Sequence, residues 1–203
     1  HKKEAFRKPF TAKKLEHKLE ETIMTKLDQH MDKSLQDLSE RIKGLRTNRA
    51  NPDMIKNIQV NYYGSIVPLQ QVASISTPDA SQFSLNVFDQ NAVKEIEKAI
   101  SNSSLNLTPQ TEGNTIRIIL PELTQDRRAQ LVKLLKEMGE NAKIAIRNIR
   151  KDAMDTIKLQ EKENEFTEDD VKREQILVQN STNTYTEKIE SLIQEKEKEL
   201  LTL

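Results

Sequence analysis

Residues 38–62, LSERIKGLRTNRANPDMIKNIQVNY, change their hydrophobic period halfway along. Before Asn51-Pro52, Leu38, Ile42 and Leu45 recur at three- and four-residue steps, whereas Ile58, Val60 and Tyr62 alternate after it. The first spacing lines one face of a helix and the second lines one face of a strand. A residue that precedes proline avoids the helical region, so Asn51 marks the boundary. The stretch therefore predicts a long helix followed by a β-containing segment.

Upstream, Leu27, Met31 and Leu35 extend the same stripe, giving a helix over about Lys13–Arg49. Leu15, Leu19 and Ile23 step by four and drift off it. Downstream, Gly64 turns the chain toward Val67 and Leu69, and Val72–Ile75 is a short strand candidate. Phe83, Leu85 and Val87 alternate, a short helix follows over about Asn91–Ile100, and Thr115–Leu120 closes the segment as a strand. A second long helix opens at Thr124 as its N-cap, with the stripe Leu131, Leu135, Met138, Ala142, Ala145, Ile149 and Ala153. A third opens at Thr167, with Asp170 three residues on as a capping box, and carries Val171, Val178, Tyr185, Ile189 and Leu192.

Three amphipathic stretches of about 35 residues would each run about 50 Å. None buries its stripe alone, so the expected fold is α+β: a long three-helix bundle (residues 15–50 and 122–203) with a small β/α/β domain (51–121) inserted between its first two helices. The two crossings, Asn51-Pro52 and Pro121-Glu122, are short and adjacent, as a hinge requires.

Composition narrows the chemistry. The 203 residues are 32% charged and 4% aromatic, with four Gly, no Trp and no Cys, which suits long exposed helices and excludes disulfides, thiolate nucleophiles and cysteine metal sites. No apolar run approaches the roughly 18 residues of a membrane span, so no membrane partner is expected. Residues 1–14, HKKEAFRKPFTAKK, are basic and lack an apolar core; they are expected to be a disordered arm, or the remnant of an organellar transit peptide. No phosphate-binding glycine loop, H-E-x-x-H or nucleophile elbow occurs, and His1, His17 and His30 have no metal-ligand spacing. An enzyme, a cofactor and a metal centre are not expected.

The net charge of zero averages unlike parts. Residues 122–159 hold nine Lys and Arg against six Asp and Glu, whereas residues 160–203 hold six against twelve. At 100° per residue, Lys133, Lys136, Lys143, Arg147, Arg150, Lys151 and Lys158 share one arc of about 100° on the second helix. Such a face suits phosphate, but a solvated surface, or pairing with the acidic third helix, would produce it equally. Arginine usage favours phosphate. The chain has 22 Lys and only ten Arg, yet six of those arginines form close pairs: Arg46 with Arg49, Arg127 with Arg128, Arg147 with Arg150. Guanidinium grips phosphate or a base edge with a planar fork that ammonium lacks. With antiparallel helices, the first two pairs would meet near the hinge.

The residues also carry a resemblance. Arg46-Thr47-Asn48-Arg49-Ala50-Asn51-Pro52 resembles R-T-G-R-A-x-P, Val60–Gly64 resembles V-x-Y-Y-G, and Asn86–Asp89 matches N-V-F-D. Glu97–Ile100 matches E-K-A-I, Leu123–Arg128 resembles L-T-x-E-R-R, and Ala145–Ala153 resembles V-R-N-I-R-R-D-A. In this order they resemble the ribosome recycling factor family across about residues 19–203. The resemblance implies an L-shaped, tRNA-like outline, with domain I docked on the rRNA of the large ribosomal subunit through Arg128, Arg147 and Arg150, supported by Arg46, Arg49, Lys143 and Lys151. It implies a second partner, the GTPase elongation factor G, which splits the post-termination complex with the factor as domain II swings about Asn51, Pro52, Pro121 and Glu122. A monomer in a plastid, apicoplast or mitochondrion is expected, with bacterial cytoplasm as the alternative. Asn48 stands where the family has Gly, and asparagine tolerates the left-handed bend that glycine permits. A helical scaffold without an RNA role remains the rival; it explains the apolar stripes but not the paired arginines.

Overall fold

The computed structural model describes residues 12–202, with side chains from Ile23 onward. Apart from the helical backbone that begins at Ala12, the basic arm lies outside the described residues, as do His1 and the His17 side chain. The architecture is α+β, with three long helices, α1 (Ala12–Lys43), α3 (Gln125–Lys162) and α4 (Glu168–Leu201). Between α1 and α3 lie β1 (Gln59–Tyr62), β2 (Ser65–Pro68), β3 (Ala73–Asp79), β4 (Gln82–Val87), α2 (Val93–Ser101), β5 (Pro109–Glu112) and β6 (Thr115–Ile119). The chain divides into two compact units: the helix up to Leu38 with Gly139–Ser191, and Ser39–Met138 with Leu192–Leu203.

In the first unit the helices bury Leu27, Met31 and Leu38 from α1, Ile146, Ala153 and Ile157 from α3, and Val171, Val178, Tyr185 and Ile189 from α4. Polar residues also occupy the α4 stripe: Glu174 and Thr182 are buried, and the Thr182 hydroxyl donates back to the Val178 carbonyl at 2.8 Å. The capping box at the start of α4 forms as expected: Thr167 N donates to Asp170 Oδ2 at 2.9 Å and Asp170 N to Thr167 Oγ1 at 3.2 Å. Tyr185 reaches across to α1, donating its hydroxyl to Asp32 Oδ1 at 2.6 Å.

In the second unit, β3-β4-β6-β5 form an antiparallel sheet and β1-β2 a separate hairpin. The central strands alternate cleanly, burying Phe83, Leu85 and Val87 on β4 and Ile116 and Ile118 on β6. Val93, Ile96 and Ile100 of α2 join the same core, where each fully buried Ile or Phe contributes about 1.5–3 kcal/mol. Thr124 caps α3 as predicted, accepting Arg127 N at 3.1 Å. α1, however, ends at Lys43 rather than near Arg49. Gly44 weakens the helix, Leu45 N turns back to the Ile42 carbonyl at 3.1 Å, and the Thr47 hydroxyl donates to the Arg49 carbonyl at 3.0 Å. Arg46 and Arg49 therefore lie on a loop. β5 is an additional strand that hydrophobic alternation did not indicate.

Two backbone bonds set where the chain enters and leaves the insert. Ala50 N donates to the Ala80 carbonyl and Leu120 N to the Ser81 carbonyl, both at 2.7 Å. Adjacent peptides of the β3–β4 turn thus hold both crossings. Asn51 caps a single 3-10 turn, Pro52–Met54, by accepting Asp53 N at 3.0 Å. Lys56 then pairs with Asp53 at 3.1 Å and Glu40 at 3.6 Å, fastening that turn to the end of α1.

Candidate nucleic-acid interface

The first unit carries Lys143, Arg147, Arg150, Lys151 and Lys158 on α3. Arg147, Lys151 and Lys158 are exposed, on the side of α3 away from Ile146, Ala153 and Ile157. Arg150 is half-buried, and its Nε donates to Gln179 Oε1 on α4 at 2.8 Å. Gln179 is itself oriented by donating Nε2 to Asn183 Oδ1 at 2.9 Å. The Arg150 side chain is thus held along its inner edge, and the two terminal nitrogens that make up the fork have no protein partner among the described residues. Lys143 behaves differently. It pairs with Glu190 of α4 at 3.2 Å and Glu140 at 3.7 Å, so the acidic last helix already neutralises it.

In the second unit, Arg46 comes close enough to Arg127 for their like charges to interact. Burial, followed by the repulsion from Arg127, depresses the Arg46 pKa below the usual guanidinium value. Nε and Nη2 of Arg46 and Nε of Arg128 are buried and have no hydrogen-bond acceptor. Each such orphaned donor costs about 1–3 kcal/mol. A cavity of about 360 Å³ beside this pair is lined by Arg46, Arg127, Glu122, Thr124, Ser104 and Asn106. The meeting of the first two arginine pairs, expected from antiparallel helices, therefore holds for Arg46 and Arg127. Arg49 is exposed and borders a larger cleft of about 810 Å³, where Asp79, Glu195 and Glu199 also lie. Lys136 is spent on Glu197 at 3.6 Å.

At the expected hinge, Asn51, Pro121 and Glu122 are exposed and Pro52 is half-buried. Asn48 does not take the left-handed conformation: among the described residues, the non-glycine residues with positive φ are Tyr63, Asn106 and Asn164. Its amide bridges chain segments instead, accepting Leu123 N at 3.3 Å and donating to the Thr202 carbonyl at 3.0 Å. Gln179 is the residue sequence reasoning missed, since a lone amide gives no periodic or motif signal, and for Asn48 the motif marked the position but not this bridging role.

Among the described residues no cluster of His, Asp or Glu could hold a metal ion, and no helix is long and apolar enough to cross a membrane. The arrangement offers cations and hydrogen-bond donors, suited to gripping a polyanion.

The fold and this basic helix define a helical-bundle protein with an inserted sheet domain. Its sequence matches the ribosome recycling factor family over residues 38–201. The chain is 45% identical to the ribosome-recycling factor of Streptococcus agalactiae over 88% of its length and 97% of the relative's. It is 43% identical to that of the cyanobacterium Cyanothece, over 87% and 97%. A solution structure of the ribosome recycling factor superposes with TM-score 0.73 at 41% identity, covering 91% of this chain and 98% of that one. A second structure contains the T. thermophilus ribosome recycling factor and E. coli elongation factor G bound to the E. coli post-termination complex. Its matching chain gives TM-score 0.64 at 39% identity, with coverage of 90% and 99%. The chain belongs to the ribosome recycling factor family.

Proposed function

We propose that this chain binds the large ribosomal subunit after termination and, with elongation factor G, splits the post-termination complex. The observation that carries the reading is Arg150, held at Nε by Gln179 on a helix whose outer face bears Arg147 and Lys151. That geometry suits a phosphodiester backbone, where cations and forked donors supply affinity. Arg128, Arg46 and Arg49 would contribute the second unit's share of the contact through their positive charge. Lys143 contributes least, since reaching RNA means leaving Glu190. The factor performs no covalent chemistry on this reading, and GTP hydrolysis belongs to its partner.

The working division is a bundle (15–50, 122–203) and an insert (51–121) that swings about Asn51, Pro52, Pro121 and Glu122. Proline at each crossing restricts the backbone, so the swing follows few directions. The basic composition of residues 1–14 favours a plastid, apicoplast or mitochondrion, with bacterial cytoplasm as the alternative; immunolocalisation in the source cell decides between them.

Sedimentation with post-termination ribosomes, followed by a splitting assay with elongation factor G and GTP, tests the function. Co-sedimentation at low salt and GTP-dependent appearance of free subunits are expected. A protein that stays in the supernatant contradicts the proposal and points to a scaffold.

A further inference from the structure

α4 is the acidic helix, yet its charge is interrupted. Residues 168–174 hold six charged side chains in seven and residues 187–199 hold eight in thirteen, whereas the twelve residues 175–186, QILVQNSTNTYT, hold none. The core accounts for Val178, Thr182 and Tyr185 in this window, which are buried. It does not account for Asn180, Asn183 and Thr184, which are exposed, although asparagine and threonine are poor helix formers. The window lies where α4 meets Arg150, whose Nε donates to Gln179 at 2.8 Å. Farther along the same helix pair, where α4 carries Glu190, Lys143 is instead neutralised at 3.2 Å. A polyanion lying over Arg150 therefore meets no carboxylate from this stretch of α4.

The hydrogen bonds through the window run in one direction, and Arg150 sets it. A guanidinium has donors only, so Gln179 must turn its oxygen to Arg150 and its nitrogen away. That nitrogen donates to Asn183 Oδ1 at 2.9 Å, which leaves both hydrogens of Asn183 Nδ2 pointing outward. Asn183 is exposed, and its Nδ2 has no protein acceptor among the described residues. The relay thus ends in donors on both helices, the terminal nitrogens of Arg150 on α3 and Nδ2 of Asn183 on α4. Such a face suits a ligand that offers acceptors alone, as phosphodiester oxygens do, whereas base edges mix donors with acceptors.

We propose that Asn183 is a further rRNA contact, whose Nδ2 donates to a phosphodiester oxygen of the strand that Arg150 grips. The RNA is then held by α4 as well as α3, and the uncharged window is what lets it lie across both. The inference rests on the recycling reading and deepens it by naming an uncharged contact residue on a second helix.

The test measures the affinity of the full chain and two variants for post-termination ribosomes at matched salt. Asn183→Ala should bind about three- to tenfold more weakly, the worth of one hydrogen bond, with an unchanged salt dependence because no charge is lost. Its melting temperature should hold or rise, since alanine is the better helix former; a melting temperature that falls in step with affinity would show a structural role and overturn the proposal. Asn183→Asp keeps the acceptor that orients Gln179, and through it Arg150, but offers phosphate no donor, so it should bind more weakly than alanine. A residue that served only to orient Gln179 would give the reverse order, with aspartate near wild type. That order, or alanine within about twofold of wild type, overturns the proposal. The photo-cross-linker p-benzoylphenylalanine at Asn180, one turn away, provides an independent arm: irradiation on post-termination ribosomes should yield a nuclease-digestible cross-link to rRNA. A cross-link to protein alone, or none, contradicts the contact. If wild-type chain does not co-sediment, the recycling reading itself falls and takes this one with it.

Discussion

The Asn48 side-chain amide donates to the Thr202 carbonyl at 3.0 Å while its oxygen accepts the Leu123 N–H at 3.3 Å. One residue thus ties the loop after α1 to the segment that leads into α3 and to the end of α4. Each bond is partly solvated, so Asn48→Ala should cost only about 0.5–1.5 kcal/mol. The sharper signal is local, because the Leu123 amide loses its acceptor and should exchange with solvent several-fold faster. Unchanged protection at Leu123 would mean that the amide does not hold this junction.

Tyr185 is buried and donates to Asp32, and burial, then this bond, raises its phenol pKa. A raised pKa means that the folded state keeps the proton longer than the unfolded chain does. The associated stability is complete below the unfolded value of about 10 and is lost as pH rises beyond it. Wild type should therefore lose melting temperature between about pH 9 and 11 more steeply than Tyr185→Phe, which has no proton to release. Parallel curves would remove this linkage.

Asp170 has the opposite sign. The Thr167 backbone N–H, then its hydroxyl, hold the Asp170 carboxyl below its usual pKa. Its contribution is present above the unfolded value of about 3.9 and disappears as pH falls through the folded one. Asp170→Ala should cost about 1 kcal/mol at neutral pH, as for loss of a helix cap. The gap to wild type should narrow as pH falls below the unfolded value of about 3.9, and a gap that stays constant throughout acidification would rule out the carboxylate as its source.

Gln179 acts through Arg150. Gln179→Leu removes the acceptor at Arg150 Nε but leaves every positive charge in place. Ribosome affinity should fall by about three- to tenfold, the worth of one orienting hydrogen bond, with an unchanged salt dependence. A smaller salt slope would indicate a lost phosphate contact rather than lost orientation.

Legibility in the sequence followed side-chain chemistry. Phe83, Leu85 and Val87 announced β4 because a half-buried central strand alternates, whereas β5, Pro-Gln-Thr-Glu on the sheet edge, has no buried face to reveal it. The stripes of α3 and α4 were readable in outline, but on α3 the fully buried residue is Ile146, while Ala145 and Ile149 of the expected stripe are half-buried, and the buried polar residues Glu174 and Lys196 escaped a reading that equates apolar with inside. The end of α1 was misjudged because the helical period runs on through Leu45, while Gly44 and the backbone bonds after it stop the helix at Lys43. The paired arginines were visible as residues. Their separation into a half-buried Arg46 beside Arg127, a held Arg150 and an exposed Arg147 depends on tertiary neighbours that spacing does not encode.

The most direct test of the account is the affinity of Arg150→Lys for post-termination ribosomes, measured at matched salt beside wild type and Arg150→Ala, with circular dichroism confirming the fold. A charge-assisted contact worth about 1.5–3 kcal/mol corresponds to a loss of roughly 10- to 150-fold for alanine. The lysine variant keeps the charge but loses both the Nε bond to Gln179 and the fork, so it should bind like alanine. Lysine binding within about twofold of wild type, a difference of only about 0.4 kcal/mol, would contradict the guanidinium grip and leave only generic electrostatic attraction.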